Sequence, residues 1–228
     1  MMELTQRRNV TLSLAALALL ATTRSAWATD QEDAKRIVDH ARESLEAVVK
    51  SESLESLRSG LKTAKGVLIF PSVMRGGVIV GATGGTGVLL VRGDGGAWSE
   101  PAFYTLGGLS VGLLAGGESA QMVVLVTSQK AVDRLLSHSL KLGGDASVAM
   151  GTAGQGRSSN VRADFISYAR TKGVYAGLSI DGSILDVRNT LNHAYFGQSA
   201  TASDILIKRS VTNAHSAALR EALAQHSR

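Results

Sequence analysis

The chain has 228 residues, 25 glycines, no cysteine and a formal net charge of +5. The missing cysteine excludes disulfides, thiolate catalysis, thiolate metal sites and lipid attachment through sulfur. Basic and acidic residues nearly balance, which argues against nucleic acid as a partner.

Residues 1–28 read as an export signal. Arg7 and Arg8 form a positive start, Val10 to Thr23 is uncharged, and Ala26-Trp27-Ala28 fits cleavage before Thr29. The uncharged stretch is shorter than the roughly 20 residues that span a bilayer. The paired arginines allow either the general or the twin-arginine route. The expected location is therefore periplasmic, with possible peripheral membrane attachment. Residues 29–228 have the length of a single domain and retain a charge of +3.

From Asp30 to about Ala64 the pattern is helical. Ile37, Ala41, Leu45 and Val48 recur on one face, and Ser51 or Ser53 is placed to cap a second piece ending near Gly60. The period then changes. Gly66 to Phe70 reads as a strand stopped by Pro71, and Gly77 to Thr83 and Gly87 to Arg92 as two more joined by Gly84-Gly85-Thr86. Ala97 to Tyr104, Leu106 to Ala115 and Gln121 to Thr127 continue the series after an Asp94-Gly95-Gly96 turn. Ser128 caps a helix running to about His138, with Val132, Leu135 and Leu136 inward. Leu140 to Thr152 and Asp164 to Arg170 read as strands, with Gln155 to Asn160 as a loop between them. Gly173 to Ile180 and Ser183 to Val187 flank Asp181-Gly182 like a hairpin. Asn189 to Phe196 and Ser203 to Gln225 read as helices.

Strands and helices are segregated and do not alternate. The expected class is therefore α+β: a mostly antiparallel, strongly curved or barrel-like glycine-rich sheet with N- and C-terminal helices packed on it. Between Gly76 and Gly117, 14 of 42 residues are glycine and only Arg92, Asp94 and Glu100 are charged. Glycine lets strands approach and bend where a Cβ would clash, but it supplies no acid–base or metal chemistry.

Three motifs invite a catalytic or nucleotide reading, and each lacks its context. Gly108-Leu109-Ser110-Val111-Gly112 matches G-x-S-x-G, yet the nucleophile elbow needs a following helix, and the next residues are glycine-rich. Gly81 to Gly87 has neither the Gly-Lys-Ser/Thr of a phosphate loop nor a helix after it. His40, His138, His193, His215 and His226 show no i, i+3 or i+4 pairing. No catalytic residue, metal ligand or cofactor is assigned, and an enzyme is not expected. The first helix leaves two readings open. Lys35, Arg36, Arg42 and Lys50 meet anionic headgroups while Ile37, Leu45 and Val48 dip into the acyl boundary, or the helix docks on the sheet with its charges solvated.

The stretches AKGVLIFPSVMRGG (64–77), GTGVLLVR (85–92), WSEPAFYTLGGLSVGLLAGGES (98–119), LGGDASVAMG (142–151), FISYARTKGVYAGLSIDGS (165–183) and AYFG (194–197) resemble the SYLF family, also called the Ysc84 actin-binding domain. The resemblance implies lipid binding. Carried over by position, it makes Lys62, Lys65, Arg75, Arg92 and Lys141 the candidate headgroup contacts through charge-assisted hydrogen bonds. Ordinary strand-end charge is the other reading of each. The export signal makes actin an unlikely partner and anionic phospholipid the expected one. The expected function is a non-enzymatic periplasmic module on an anionic phospholipid surface. The alternative is an envelope structural or protein-interaction domain that presents a sheet edge or face to a protein.

Overall fold

The computed structural model describes residues 29–50, 55–77, 80–111, 116–136, 139–151, 163–171, 174–176 and 179–228. The export signal, the Ser51 and Ser53 caps and the 155–160 loop lie outside these residues.

A helix over 29–49 (α1) and α2 (Glu55–Thr63) come first. The strands β1 (Gly66–Gly77), β2 (Val80–Val91), β3 (Ala102–Val111) and β4 (Gly116–Val126) follow, then α3 (Gln129–Leu135). The remaining elements are β5 (Ser139–Lys141), β6 (Val148–Met150), β7 (Phe165–Thr171), β8 (Val174–Ala176), β9 (Ile184–Val187), α4 (Asn189–Phe196) and α5 (Ala217–His226). The strands form one curled half-barrel sheet in the order β5-β9-β3-β2-β1-β4-β7-β6, with β8 also on β7. Every pairing is antiparallel except β6 with β7. The architecture is the α+β arrangement expected from the sequence.

Both faces of the sheet are buried over the inner half of the long strands. On one face Val67, Ile69, Val88, Leu90, Phe103, Val123 and Leu125 meet α1, α2, α4 and α5. On the other, Leu68, Phe70, Leu89, Tyr104, Met122 and Val124 meet α3 and the 200–211 segment. Each such leucine, valine or phenylalanine taken out of water contributes about 1.5–3 kcal/mol. In the outer half the same strands are rich in glycine, serine and threonine, and among the described residues no helix packs on them.

Several local readings change. Ala102–Val111 is one continuous strand where two were read from 97 and 106, and the span read as one strand from 140 to 152 holds β5, a turn and β6. Pro71 does not end β1; the strand runs on to Gly77 with its register shifted between Ile69 and Ser72. A central strand tolerates proline at such a bulge because no ladder donor is needed there. Gly84-Gly85-Thr86 does not join two strands, because Val80 to Val91 is continuous. A methyl group at Gly87 would meet the Ile69 carbonyl and the Phe70 ring, and one at Gly85 would lie 2.7 Å from the Ser72 carbonyl. Those glycines serve close passage over the bulge, not a turn. Asp181-Gly182 does turn, with Gly182 at φ +81, but its flanks do not form a hairpin. β8 pairs with β7, whereas β9 pairs with β3 and β5. The C-terminal helix is also interrupted: a π turn over Asp204–Lys208 ends at Arg209 in the left-handed region, and α5 begins eight residues later. Ser128 caps α3 as expected, its hydroxyl accepting from the Ala131 N–H at 3.1 Å.

Candidate functional site

The fold brings three of the five candidate headgroup residues to one end of the sheet. Lys62 lies in the last turn of α2, Lys65 directly precedes β1, and Arg92 directly follows β2. The Arg92 N–H donates to the Lys65 carbonyl at 2.8 Å. Its guanidinium donates to the carbonyls of Lys62 at 2.9 Å and Leu61 at 2.7 Å and lies 4.7 Å above the Trp98 ring. Arg92 thereby satisfies carbonyls that a helix C-terminus leaves without partners. Burial lowers its pKa. Lys62 and Lys65 remain exposed.

A fourth cation joins this end that the sequence reading did not single out. Arg209 donates to the Ala97 carbonyl at 2.9 Å, and its guanidinium packs over Gly93, next to Arg92. Asp94 is the acidic residue of that turn. The Lys208-Arg209 dipeptide behind the apolar Ile205 to Ile207 was the available signal. Its position depends on a contact spanning 112 residues.

Arg75 and Lys141 lie elsewhere. Arg75 is near the far end of β1, roughly 30 Å from Lys65 at the usual rise per residue. It faces Thr83 on one side and Glu118 on the other. Lys141 sits on β5 and lines a groove of about 800 Å³ with Leu109, Ile184, Asp186 and Arg188. The register places Met74, Gly84, Gly107, Ile184 and Lys141 in a single cross-strand row on the helix-bearing face. Met74, Leu109 and Ile184 are 68%, 81% and 48% exposed there.

The first helix is docked. Val38, Ala41, Leu45 and Val48 are fully buried in the core. Leu45 and Val48, which the membrane reading dips into the acyl layer, thus face protein. Of its basic residues, Arg36 pairs with Asp33, and Arg42 and Lys50 share Glu46 at 2.9 and 3.8 Å. The Lys35 carbonyl lies 3.3 Å from His215 Nε2, which pairs with Asp39 at 3.0 Å.

Elsewhere polar chemistry serves the fold. Glu100, nearly fully buried, accepts from Ser216 at 2.6 Å and from Arg220 at 2.7 Å, tying the start of β3 to α5. Asp164 accepts from Ser147 and Ser128 and pairs with Arg134 at 3.5 Å. Gly108, Leu109 and Ser110 are ladder residues of β3 opposite Thr83, Ala82 and Gly81, not the sharp turn of a nucleophile elbow. Among the described residues, no group of three or more His, Asp or Glu could hold a metal, and no helix is long and apolar enough to cross a membrane.

The family described as Ysc84, Las17-binding protein actin regulator, matches residues 107–226, just over half of the sequence. The chain belongs to the Ysc84 family. It is 35% identical over 155 residues to an SH3 domain-containing protein of Schizosaccharomyces pombe, covering 65% of this chain and 36% of that protein. It is 35% identical over 148 residues to the SH3 domain-containing YSC84-like protein 1 of Bos taurus, covering 63% and 43%. It is 30% identical over 156 residues to LAS seventeen-binding protein 3 of Saccharomyces cerevisiae, covering 65% and 34%. The chain spans less than half the length of these Ysc84 relatives. The Saccharomyces cerevisiae relative is named as a binding protein, and none of these three names describes an enzyme.

Proposed function

We propose that this chain is a non-enzymatic Ysc84 module that docks on anionic phospholipid through the sheet end carrying Lys62, Lys65, Arg92 and Arg209. The observation that carries the reading is the convergence of these four cations around one turn whose acidic residue is Asp94. Lys62 and Lys65 contact headgroups, while Arg92 and Arg209 hold the turn and add to the local potential. Each cation near an anionic surface contributes about 1 kcal/mol, so attachment is weak, reversible and sensitive to salt. The reading of residues 1–28 as an export signal supports a periplasmic location for the module in a bacterial cell. Arg75 and Lys141, remote from this end, are not part of the contact, and α1 serves as a packed helix.

Flotation with phosphatidylglycerol vesicles at low salt is the test. Co-flotation that disappears at high salt supports the reading, and its absence at low salt refutes it. The family's description as an actin regulator favours a second reading, in which the domain engages actin. Co-sedimentation with actin filaments, in the absence of lipid, distinguishes the two.

A further inference from the structure

The outer edge of β3 is satisfied over only part of its length. Every second residue of this strand turns its N–H and C=O away from β2. At Phe103 the C=O accepts from the Arg188 N–H and the N–H donates to Asn192 Oδ1, both at 2.8 Å. Thr105 and Gly107 lie opposite Asp186 and Ile184, where β9 ends. The alternation continues through Leu109 and Val111, which still pair with Ala82 and Val80 of β2. Among the described residues, none pairs with these two on the outer side. The chain before β9 does not extend its line: Gly182 donates back to the Leu142 carbonyl at 2.9 Å, and Ile180 is buried in the core.

We propose that this open edge of β3 accepts an extended acidic peptide segment as an added strand, in line with β9. An exposed strand edge leaves its N–H and C=O groups to water and is a template for pairing, and an extended polypeptide supplies both donors and acceptors. Leu109 and Ile184 offer an apolar wall to a side chain opposite Leu109. Gly107 between them keeps the floor low, since nothing lies within 4 Å of where its Cβ would be. The charge selects the partner. Lys141 and Arg188 line the same groove against the single carboxylate of Asp186. A second copy of this chain would bring the same surplus of positive charge across the edge. An acyl chain would leave the strand's polar groups unpaired. The inference rests on sheet geometry and stands whether or not the basic end docks on lipid.

Panning a phage-displayed library of random nonapeptides against the full chain tests it, with Leu109→Asp and Lys141→Glu as counter-selection targets. Leu109 and Lys141 are both exposed, so folding of each variant is checked by circular dichroism. The expected winners lack proline, alternate apolar residues and carry a carboxylate. A synthetic representative slows amide exchange at Leu109 and Val111 and binds Leu109→Asp about tenfold more weakly. Any of four results overturns the inference: no enrichment over the variants, protection confined to other amides, protection by self-association alone, or perturbation of the Leu109 amide by monomeric lysophosphatidylglycerol but by no peptide.

Discussion

Arg220→Ala removes what is, among the described residues, the only cationic partner of a carboxylate that the fold keeps out of water. The Glu100 side chain is 5% exposed, against 40% for Arg220, and their contact is 2.7 Å. Breaking a buried pair costs about 3–5 kcal/mol because the remaining charge has lost its compensation. Solvent screening of Arg220 reduces this, and the Ser216 hydroxyl still donates, so about 2 kcal/mol is expected. For a chain of this size that corresponds to a fall in Tm of about 4–8 °C. Glu100→Gln keeps the shape and releases Arg220 to water, at a cost of about 1 kcal/mol. In the Gln background Arg220→Ala should then cost almost nothing. Thermal and urea unfolding of the single and double variants provide the cycle. Equal costs of Arg220→Ala in both backgrounds would refute the claim that this pair fastens α5 to the sheet.

Gly87→Ala should destabilise by about 1–3 kcal/mol, because its methyl meets β1 at the bulge, whereas Gly107→Ala should stay within about 0.5 kcal/mol; parallel thermal melts compare them. Burial pushes the Asp164 carboxyl up, but hydrogen bonds from Ser147 and Ser128 and the charge of Arg134 outweigh it and hold the carboxyl below its usual range. Its contribution is therefore full above the ordinary carboxylate pKa of about 4 and lost as pH falls through the lowered value. Urea titrations across that acid range should show Asp164→Asn converging on the parent chain at the lowest pH. Arg92→Ala should lower stability by about 1–2 kcal/mol by stripping carbonyl partners from α2, and Arg92→Lys should recover little of it, since one ammonium cannot reproduce the planar fork; chemical unfolding distinguishes the two.

Local pattern made much of the fold legible. The apolar stripe from Ile37 to Val48 marked α1, and Ser128 marked the start of α3. The glycine-rich run marked strands that bend and pack closely. What escaped depended on partners distant in sequence. Pro71 looks like a stop until β2 and β4 flank it and a bulge absorbs its missing donor. Asp181-Gly182 looks like a hairpin until β9 finds β3 and β5 as better neighbours. The basic end was partly visible because Lys62 and Lys65 are close in sequence and both flank the first strand. Arg75 was grouped with them because it falls in the same resembling stretch as Lys65, 64–77, and the extended run of β1 carries it to the other end of the strand. Arg209 and the open edge of β3 follow from the sheet order, which no local period encodes.

The most direct test of the basic-end account compares charge reversals in flotation with phosphatidylglycerol vesicles at matched low salt. Lys62→Glu/Lys65→Glu is expected to abolish co-flotation of the folded chain, while Arg75→Glu, at the far end of β1, leaves it intact. Retained co-flotation of the double variant, or its loss with Arg75→Glu, would contradict the account.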